Sequence, residues 1–110
     1  MQERRTAERI RINFKARWEG LTGQGRGSIC DLSSTGCFIL TGGEVKPGEL
    51  IRFEIHFPNQ IALVWGQVVY AVAEMGFALR FAFSSDEETR ALASLIDDLP
   101  NRNSLVLHNE

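Results

Sequence analysis

Apolar and polar residues alternate along most of the chain between positions 10 and 83. The first alternating stretch, residues 10–18, sets apolar side chains against a polar and mostly cationic series. A period of two predicts a strand with one buried face. The same alternation, or a short apolar run, predicts further strands over residues 28–32, 37–40, 51–57, 61–73 and 75–83.

Glycine and turn-forming residues separate these segments. Residues 20–27 contain four glycines and are predicted to form a flexible hairpin loop. The sequence Ser-Ser-Thr-Gly at residues 33–36 predicts a turn whose side chains bond the local backbone. Gly66 lies inside the longest predicted strand, where it indicates a bulge or bend of the kind that closes a barrel.

The hydrophobic period changes after position 84. Ser85 and Glu88 have the spacing of a capping box, and apolar residues follow at helical spacing: Leu92, Leu95, Ile96 and Leu99. This pattern predicts an amphipathic helix over residues 85–99. About six short antiparallel strands and one helix predict an all-β fold, a small six-stranded antiparallel β-barrel with one C-terminal α-helix.

The predicted elements belong to a single domain, since 110 residues suffice for one hydrophobic core and not for two. We expect this domain to cover residues 1–100. Residues 4–9 are an N-terminal arginine arm, residues 10–83 the barrel and residues 85–99 the helix. Residues 101–110 are predicted to form a tail.

Charge is distributed unevenly along the chain, although the formal net charge is only −2. Residues 1–27 contain seven Lys or Arg and three Asp or Glu, whereas residues 84–110 contain two and six. Because the field of the N-terminal segment attracts anions, an anionic ligand is expected there. The chain as a whole is not basic enough for a general DNA or RNA binder.

Several functional classes lack the residues that they need. No apolar run reaches the roughly 20 residues that span a bilayer, and no signal peptide precedes the first strand, so we expect no membrane insertion and a cytoplasmic location. Cys30 and Cys37 have neither redox nor zinc spacing and are interpreted as small buried side chains. His56 and His108 have no evident nucleophile nearby. No enzyme activity, cofactor or metal site is predicted.

The N-terminal arm offers a specific anion chemistry. Arg4, Arg5 and Arg9 precede the first strand, with Glu8 the only acidic residue among them. A guanidinium group presents a planar fork that bonds phosphate, or the O6/N7 edge of guanine, through parallel hydrogen bonds. The alternative interpretation is a solvated chain terminus.

The segment Asp31-Leu32-Ser33-Ser34-Thr35-Gly36 offers complementary chemistry. The Asp31 carboxylate either accepts backbone N–H groups of the turn or accepts the N1–H and N2–H₂ donors of a guanine. Ser33 and Ser34 have hydroxyls for phosphate. Gly36 lacks a Cβ where the backbone would approach a ligand or take a positive φ.

In order, spacing and context, these motifs resemble the RxxxR and DxSxxG signature of PilZ domains, bacterial receptors for cyclic dimeric GMP (c-di-GMP). Residues 5–9 carry the first motif and residues 31–36 the second. Residues 75–81, Met-Gly-Phe-Ala-Leu-Arg-Phe, are similar to the late barrel strand of the family. The resemblance extends over residues 4–99.

The resemblance implies a six-stranded barrel that holds c-di-GMP at its rim. It implies that Arg5 and Arg9 clamp phosphate and guanine, and that Arg4 joins them. Asp31 and Ser33 would contact the second guanine and nearby polar groups, and Gly36 would permit close approach. A further contact is expected from Tyr70, where family members often have tryptophan, because tyrosine also stacks on bases.

The mechanism that we expect is the ordering of residues 4–9 against the turn at residues 31–36 on ligand binding, which changes the surface shown to an effector protein. In the family such effectors include flagellar motor, pilus and exopolysaccharide machinery. One alternative is a PilZ-like adaptor that binds only protein, using the barrel and residues 105–107. Another is a barrel for single-stranded nucleic acid, which needs exposed aromatic residues. Most aromatic residues here fall on inward positions.

Overall fold

Six antiparallel strands close into a barrel in the order β1-β2-β3-β6-β5-β4 in the computed structural model, which describes residues 8–99. One helix among the described residues follows the strands. The elements are β1 (Ile10–Gly20), β2 (Gly23–Leu32), β3 (Gly36–Leu40), β4 (Leu50–His56), β5 (Ile61–Val72), β6 (Gly76–Ala82) and α1 (Asp86–Asp97). The predicted fold class is therefore confirmed.

The barrel interior is filled by the inward-facing side chains that the alternation predicts. The five phenylalanines on inward positions, Phe14, Phe53, Phe57, Phe77 and Phe81, are all buried. Trp18 stacks on Phe53 with ring centroids 6.3 Å apart and meets Phe77 edge-on at 5.1 Å. Burial of so many large rings drives closure of the sheet, because each removes a large apolar area from water.

Helix α1 begins at the capping box that the sequence predicts. The Ser85 hydroxyl accepts the Glu88 backbone N–H at 3.2 Å, and the Glu88 carboxylate accepts the Ser84 N–H at 2.9 Å. Leu92, Ile96 and Leu99 are buried in the same hydrophobic cluster as the barrel interior. The helix therefore completes the core through its apolar stripe.

The prediction of a loop over residues 20–27 is too long, because β2 already begins at Gly23. Gly25 lies opposite Trp18 in the β1–β2 ladder. A Cβ at Gly25 would lie 2.6 Å from Cε2 of the Trp18 indole. Gly25 therefore makes room for a buried ring within a strand. Glycine content alone does not distinguish this role from the flexibility of a loop.

The bulge predicted at Gly66 is displaced along β5. Gly66 is regularly paired with Ile51 and Phe81, and its missing Cβ leaves space for the Leu79 side chain. The irregularity in the β5–β6 ladder falls between Val68 and Tyr70. This shift changes which face of the sheet Tyr70 occupies, with consequences for the site.

No helix within residues 8–99 is long and apolar enough to cross a membrane. The same residues contain no group of three or more side chains that could hold a metal ion.

Candidate functional site

An ion pair joins the arginine arm to the segment that begins at Asp31. Nη1 of Arg9 donates to Oδ1 of Asp31 at 2.5 Å, across a sequence separation of 22 residues. The Arg9 side chain is 54% exposed and that of Asp31 is 33% exposed. Arg9 of the first motif and Asp31 of the second therefore meet on one accessible face of the barrel.

Both members of this pair keep unused hydrogen-bonding capacity. Within residues 8–99, the Arg9 guanidinium makes one hydrogen bond and the Asp31 carboxylate accepts one. Guanidinium has further N–H donors in a fixed fork, and carboxylate has further lone pairs. An exposed pair of this kind contributes little to stability, so its groups remain available to a polar ligand.

A bulge in β2 determines where Asp31 lies. Ile29 pairs with Ile39 and Asp31 with Phe38, so Cys30 is the extra residue in the β2–β3 ladder. Ile29 and Leu32 are fully buried, whereas both residues between them are partly exposed. The bulge thus places Asp31 on the outer face, as bulges beside binding sites often do.

The interpretation of Cys30 as a buried side chain is wrong, because the residue follows the inward-facing Ile29 and is partly exposed. Partial burial, and then the charge of Asp31, raise the pKa of its thiol. Cys37 is buried as expected, and burial strongly raises the pKa of its thiol. Both cysteines are therefore thiols near neutral pH.

Ser33 lies inside the turn instead of facing outward. Its side chain is 1% exposed, and its hydroxyl accepts the N–H groups of Thr35 at 3.1 Å and Gly36 at 3.3 Å. The Ser33 backbone N–H donates to the Gly36 carbonyl at 2.9 Å. In the structure this hydroxyl shapes the turn that presents Asp31, and the expected contact of Ser33 with a ligand stays a prediction.

Gly36 does not take the positive φ that is one of its two expected roles, and its approach to a ligand stays a prediction. Its φ is not among the positive values of the described glycines, and the group that would collide with a Cβ is the Leu79 carbonyl of β6. Glycine is needed because β3 and β6 approach closely at this point. The Thr35 carbonyl also accepts the Phe81 N–H at 2.8 Å, so the turn is fixed to β6.

An outward row of side chains extends from Asp31 across the sheet. Asp31 is the cross-strand neighbour of Phe38, Phe38 of Ala78, and Ala78 of Tyr70. The Phe38 and Tyr70 ring centroids are 6.3 Å apart. Tyr70, expected as a ligand contact, is therefore on the same face as Asp31.

Sequence reasoning missed Phe38 as a residue of this face. The signal was present, because Cys37 and Ile39 are inward positions of β3 and Phe38 is an aromatic residue between them. Ser34 is partly buried and makes no hydrogen bond within the described residues. Arg4, Arg5 and the tail at residues 101–110 lie outside the described residues, so their expected roles stay predictions.

The geometry defines the class of this domain. It is a closed β-barrel with a packed interior and an ion pair on its outer face. Residues 3–98 match the family model of the PilZ domain. The chain therefore belongs to the PilZ family. A comparison with curated proteins gives no match.

Solved structures agree on the fold. The PilZ domain of YcgR from Escherichia coli, solved with c-di-GMP, is 18% identical with a TM-score of 0.76, covering 97% of this chain and 98% of that chain. MrkH of K. pneumonia in its apo state is 15% identical, with a TM-score of 0.71 and coverage of 94% and 53%. The Bacillus subtilis inhibitor of motility, MotI/DgrA, is 16% identical, with a TM-score of 0.68 and coverage of 83% and 49%. Identities this low show similarity of fold.

Proposed function

We propose that this PilZ protein is a receptor for c-di-GMP that relays the signal to a protein partner. The observation that carries the proposal is the contact on an exposed face between Arg9, the last residue of the RxxxR motif, and Asp31, the first of the DxSxxG motif. Family membership and the c-di-GMP complex of the YcgR domain support the choice of ligand.

The chemistry of the pair fits a cyclic guanine dinucleotide. The ligand has anionic phosphates and guanine edges that both accept and donate hydrogen bonds. Arg9 supplies donors for phosphate or the O6/N7 edge, and Asp31 supplies an acceptor for N1–H and N2–H₂. Arg4 and Arg5 would join Arg9, so that the ligand draws residues 4–9 against the turn. Ser33 and Gly36 act by positioning Asp31.

The relay to a partner would follow from this rearrangement. Binding changes the position of the arginine arm and therefore the surface beside the turn. A flagellar, pilus or exopolysaccharide component is the proposed kind of effector. The printed description of the Bacillus subtilis neighbour, an inhibitor of motility, is consistent with the first of these.

Isothermal titration with c-di-GMP tests the proposal, with GTP as the control ligand. We expect saturable binding of c-di-GMP alone. Arg9→Ala should weaken it about tenfold or more, because it removes charge-assisted hydrogen bonds worth about 1.5–3 kcal/mol each. Equal affinity of Arg9→Ala and the parent protein would contradict the assignment of the clamp.

Arg17→Ala is the matched control. Arg17 is an exposed arginine of β1, the strand that Arg9 precedes. It lies six positions along β1 from Arg11, the register partner of Asp31. At about 3.3 Å per residue, this places Arg17 roughly 20 Å from the site. The Arg17→Ala variant should bind c-di-GMP as the parent does.

One observation favours the second candidate, an adaptor that binds protein without nucleotide. Ile61, Leu63 and Trp65 are each more than half exposed on alternate positions of β5. Exposed apolar side chains grouped in this way are typical of protein interaction surfaces. Absence of c-di-GMP binding by a folded sample would favour this candidate over the receptor.

A further inference from the structure

The outer face of the sheet carries two arginines that lie directly opposite each other on β1 and β2. Arg17 is the register partner of Arg26, and both residues are exposed. We call them the arginine pair. Like charges at directly opposite positions of neighbouring strands are destabilising. The stability of the barrel therefore gives no reason for two cations at these positions.

The acidic residues beside the arginine pair have other partners. Glu54 of β4 is the register partner of Arg17, but its Oε1 lies 3.1 Å from Nε2 of His56. Glu19 accepts from Nη1 of Arg52 at 3.4 Å. Within residues 8–99, neither guanidinium of the pair makes a hydrogen bond or an ion pair. Each planar fork therefore has donors that no residue among 8–99 uses, and a carboxylate fits such a fork through parallel hydrogen bonds.

An apolar row lies on the same face, beside the arginine pair. Ile61, Leu63 and Trp65, which form this row, occupy alternate positions of β5 and are each more than half exposed. Glu54 is the register partner of both Leu63 and Arg17, so Leu63 lies two strands from Arg17, a distance of roughly 10 Å. The arginine pair and Leu63 line the same cleft of about 520 Å³. The face therefore offers cationic and apolar contacts side by side.

We propose that the arginine pair and the apolar row form a docking face for an acidic segment of the effector protein. Carboxylates of this segment bind Arg17 and Arg26, and apolar side chains roughly 10 Å further along it pack on the apolar row. This inference rests on the part of the proposed function that relays the signal to a protein, and it gives that protein a chemistry. The docking face is separate from the Arg9–Asp31 site, because Arg17 lies roughly 20 Å along β1 from that site.

The distribution of charge favours a protein segment over a lipid bilayer or a nucleic acid. Glu54 lies between the arginine pair and the apolar row, and Glu19 lies on the exposed side of β1 beside Arg17. A continuous anionic surface would meet these carboxylates together with the arginines. A segment whose carboxylates are confined to one end meets only the arginines. Arginine and tryptophan are also typical of the interfaces between proteins.

The first experiment is titration of the protein with the capped peptide Glu-Glu-Ser-Ser-Leu-Leu. In extended form this peptide spans the distance from the arginine pair to the apolar row. Trp65 provides the signal, because Trp18, the other tryptophan of the chain, is buried. We expect a saturable blue shift of the tryptophan emission as the leucines cover Trp65. Peptides with Gln in place of both Glu, or with Ser in place of both Leu, should cause none.

The second experiment repeats this titration with Arg26→Gln, which removes one charge of the arginine pair. We expect the peptide affinity to fall about tenfold, because charge-assisted hydrogen bonds to a carboxylate are lost. Arg90→Gln is the matched control, since Arg90 is an exposed arginine of α1, and it should leave the affinity unchanged. Urea denaturation should show that Arg26→Gln is not destabilised, because it relieves a contact between like charges.

The same tryptophan signal tests the other occupants of the docking face. Vesicles of phosphatidylglycerol and phosphatidylethanolamine, and a thymidine oligonucleotide, replace the peptide in separate titrations. A saturable change of the emission with either of these probes, and none with the acidic peptide, would overturn the proposal in favour of a bilayer or a nucleic acid.

Titration with c-di-GMP separates this inference from the proposed receptor. If c-di-GMP binds but the peptide does not, or if Arg26→Gln binds the peptide as the parent does, the docking face is refuted and the receptor stands. If the peptide binds through Arg26 but c-di-GMP does not bind, the receptor is refuted and the docking face belongs to the adaptor. Peptide binding that is weakened by Arg26→Gln and not by Arg90→Gln supports the docking face.

Discussion

The two ends of strand β2 contain similar small and polar residues. At one end these residues complete the packing of the fold, and at the other end they expose polar groups. At its beginning, Gly25 makes room for Trp18, and the adjoining hairpin turn is held by Glu49, which accepts the Thr22 hydroxyl at 3.1 Å. At its end, a bulge exposes Asp31, whose only hydrogen-bond partner within residues 8–99 is Arg9.

The difference lies in where the hydrogen-bonding and packing partners are. At the hairpin end the chain itself supplies them, so the residues there serve stability. At the turn end, Ser33 and Gly36 are satisfied internally, whereas Arg9 and Asp31 have donors and acceptors on an exposed face that no other residue among 8–99 uses. The turn end is therefore the candidate site, because its exposed polar groups are held in place by neighbours whose own hydrogen bonds are satisfied.

Substitution of Gly36 or Gly25 by alanine should produce the largest loss of stability. The two variants should differ in ligand binding, which distinguishes the two ends of β2. Each added Cβ overlaps atoms that cannot move freely, the Leu79 carbonyl in one case and the buried Trp18 ring in the other. We expect a loss of about 3 kcal/mol in the free energy of unfolding, the upper part of the range for overpacking. Only Gly36→Ala should also weaken c-di-GMP binding.

Urea denaturation measures the stability of these variants, and titration measures their affinity. Gly42→Ala is the control, because a Cβ at Gly42 meets no atom within 4 Å. Parent-like stability of Gly36→Ala would show that β3 and β6 tolerate a wider separation. Weakened ligand binding by Gly25→Ala would contradict the division between the ends.

Neutralisation of Asp31 should affect affinity and leave stability almost unchanged. Asp31→Asn keeps the shape of the side chain but removes the charge that faces Arg9 and is proposed to accept the guanine donors. We expect c-di-GMP affinity to fall by about 1.5–3 kcal/mol. The unfolding free energy should change by less than about 1 kcal/mol, because the pair is exposed.

The matched control is Glu19→Gln at the hairpin end. Glu19 forms an exposed ion pair with Arg52 at 3.4 Å, so this substitution removes a comparable surface charge far from the proposed site. Titration with c-di-GMP should give the parent affinity. A loss equal to that of Asp31→Asn would mean that the general field of the barrel, and not the Arg9–Asp31 face, governs binding.

Removal of the Ser33 hydroxyl should affect both properties moderately. Ser33→Ala leaves the N–H groups of Thr35 and Gly36 without their buried acceptor, which costs about 1–2 kcal/mol of stability. Affinity should fall because the turn no longer fixes Asp31. Ser34→Ala, at a position with no hydrogen bond in the described chain, should match the parent in urea denaturation. Parent-like stability of Ser33→Ala would contradict the positioning role.

The barrel and the helix could be predicted because their signals are local. Alternation over a few residues determines which face of a strand is buried, and Ser85 with Glu88 determines where the helix begins. The glycines near Gly25 were misassigned because the reason for them is a distant ring. The glycine content of the segment does not show that Trp18 packs against Gly25 across the strands.

The geometry of the candidate site could be predicted in part. The resemblance to a known motif assigned Arg9 and Asp31 to one ligand, and the structure places them in contact. The bulges at Cys30 and before Tyr70 could not be predicted, because they depend on which residues pair across strands. The role of Ser33 was also ambiguous, because a serine hydroxyl forms hydrogen bonds equally well with a phosphate and with the backbone of a turn.

The smallest effect is expected at the hairpin end, from the carboxylate of Glu49. Burial pushes its pKa upward, but hydrogen bonds from the Lys46 backbone and from Thr22 outweigh this and hold the pKa below its ordinary value of 4.5. A lowered pKa in the folded state means that Glu49 stabilises the fold above pH 4.5 and loses that contribution as the pH falls through the folded pKa.

Glu49→Gln should therefore lower stability at neutral pH by less than about 1 kcal/mol, as expected for an exposed charged contact. The difference from the parent protein should shrink as the pH falls below 4.5. Urea denaturation across that range measures it, with the exposed Glu44→Gln as control. A difference independent of pH would mean that the shape of the Glu49 side chain, and not its charge, holds the hairpin turn. Affinity for c-di-GMP should not change, because this carboxylate is satisfied entirely by its own end of the barrel.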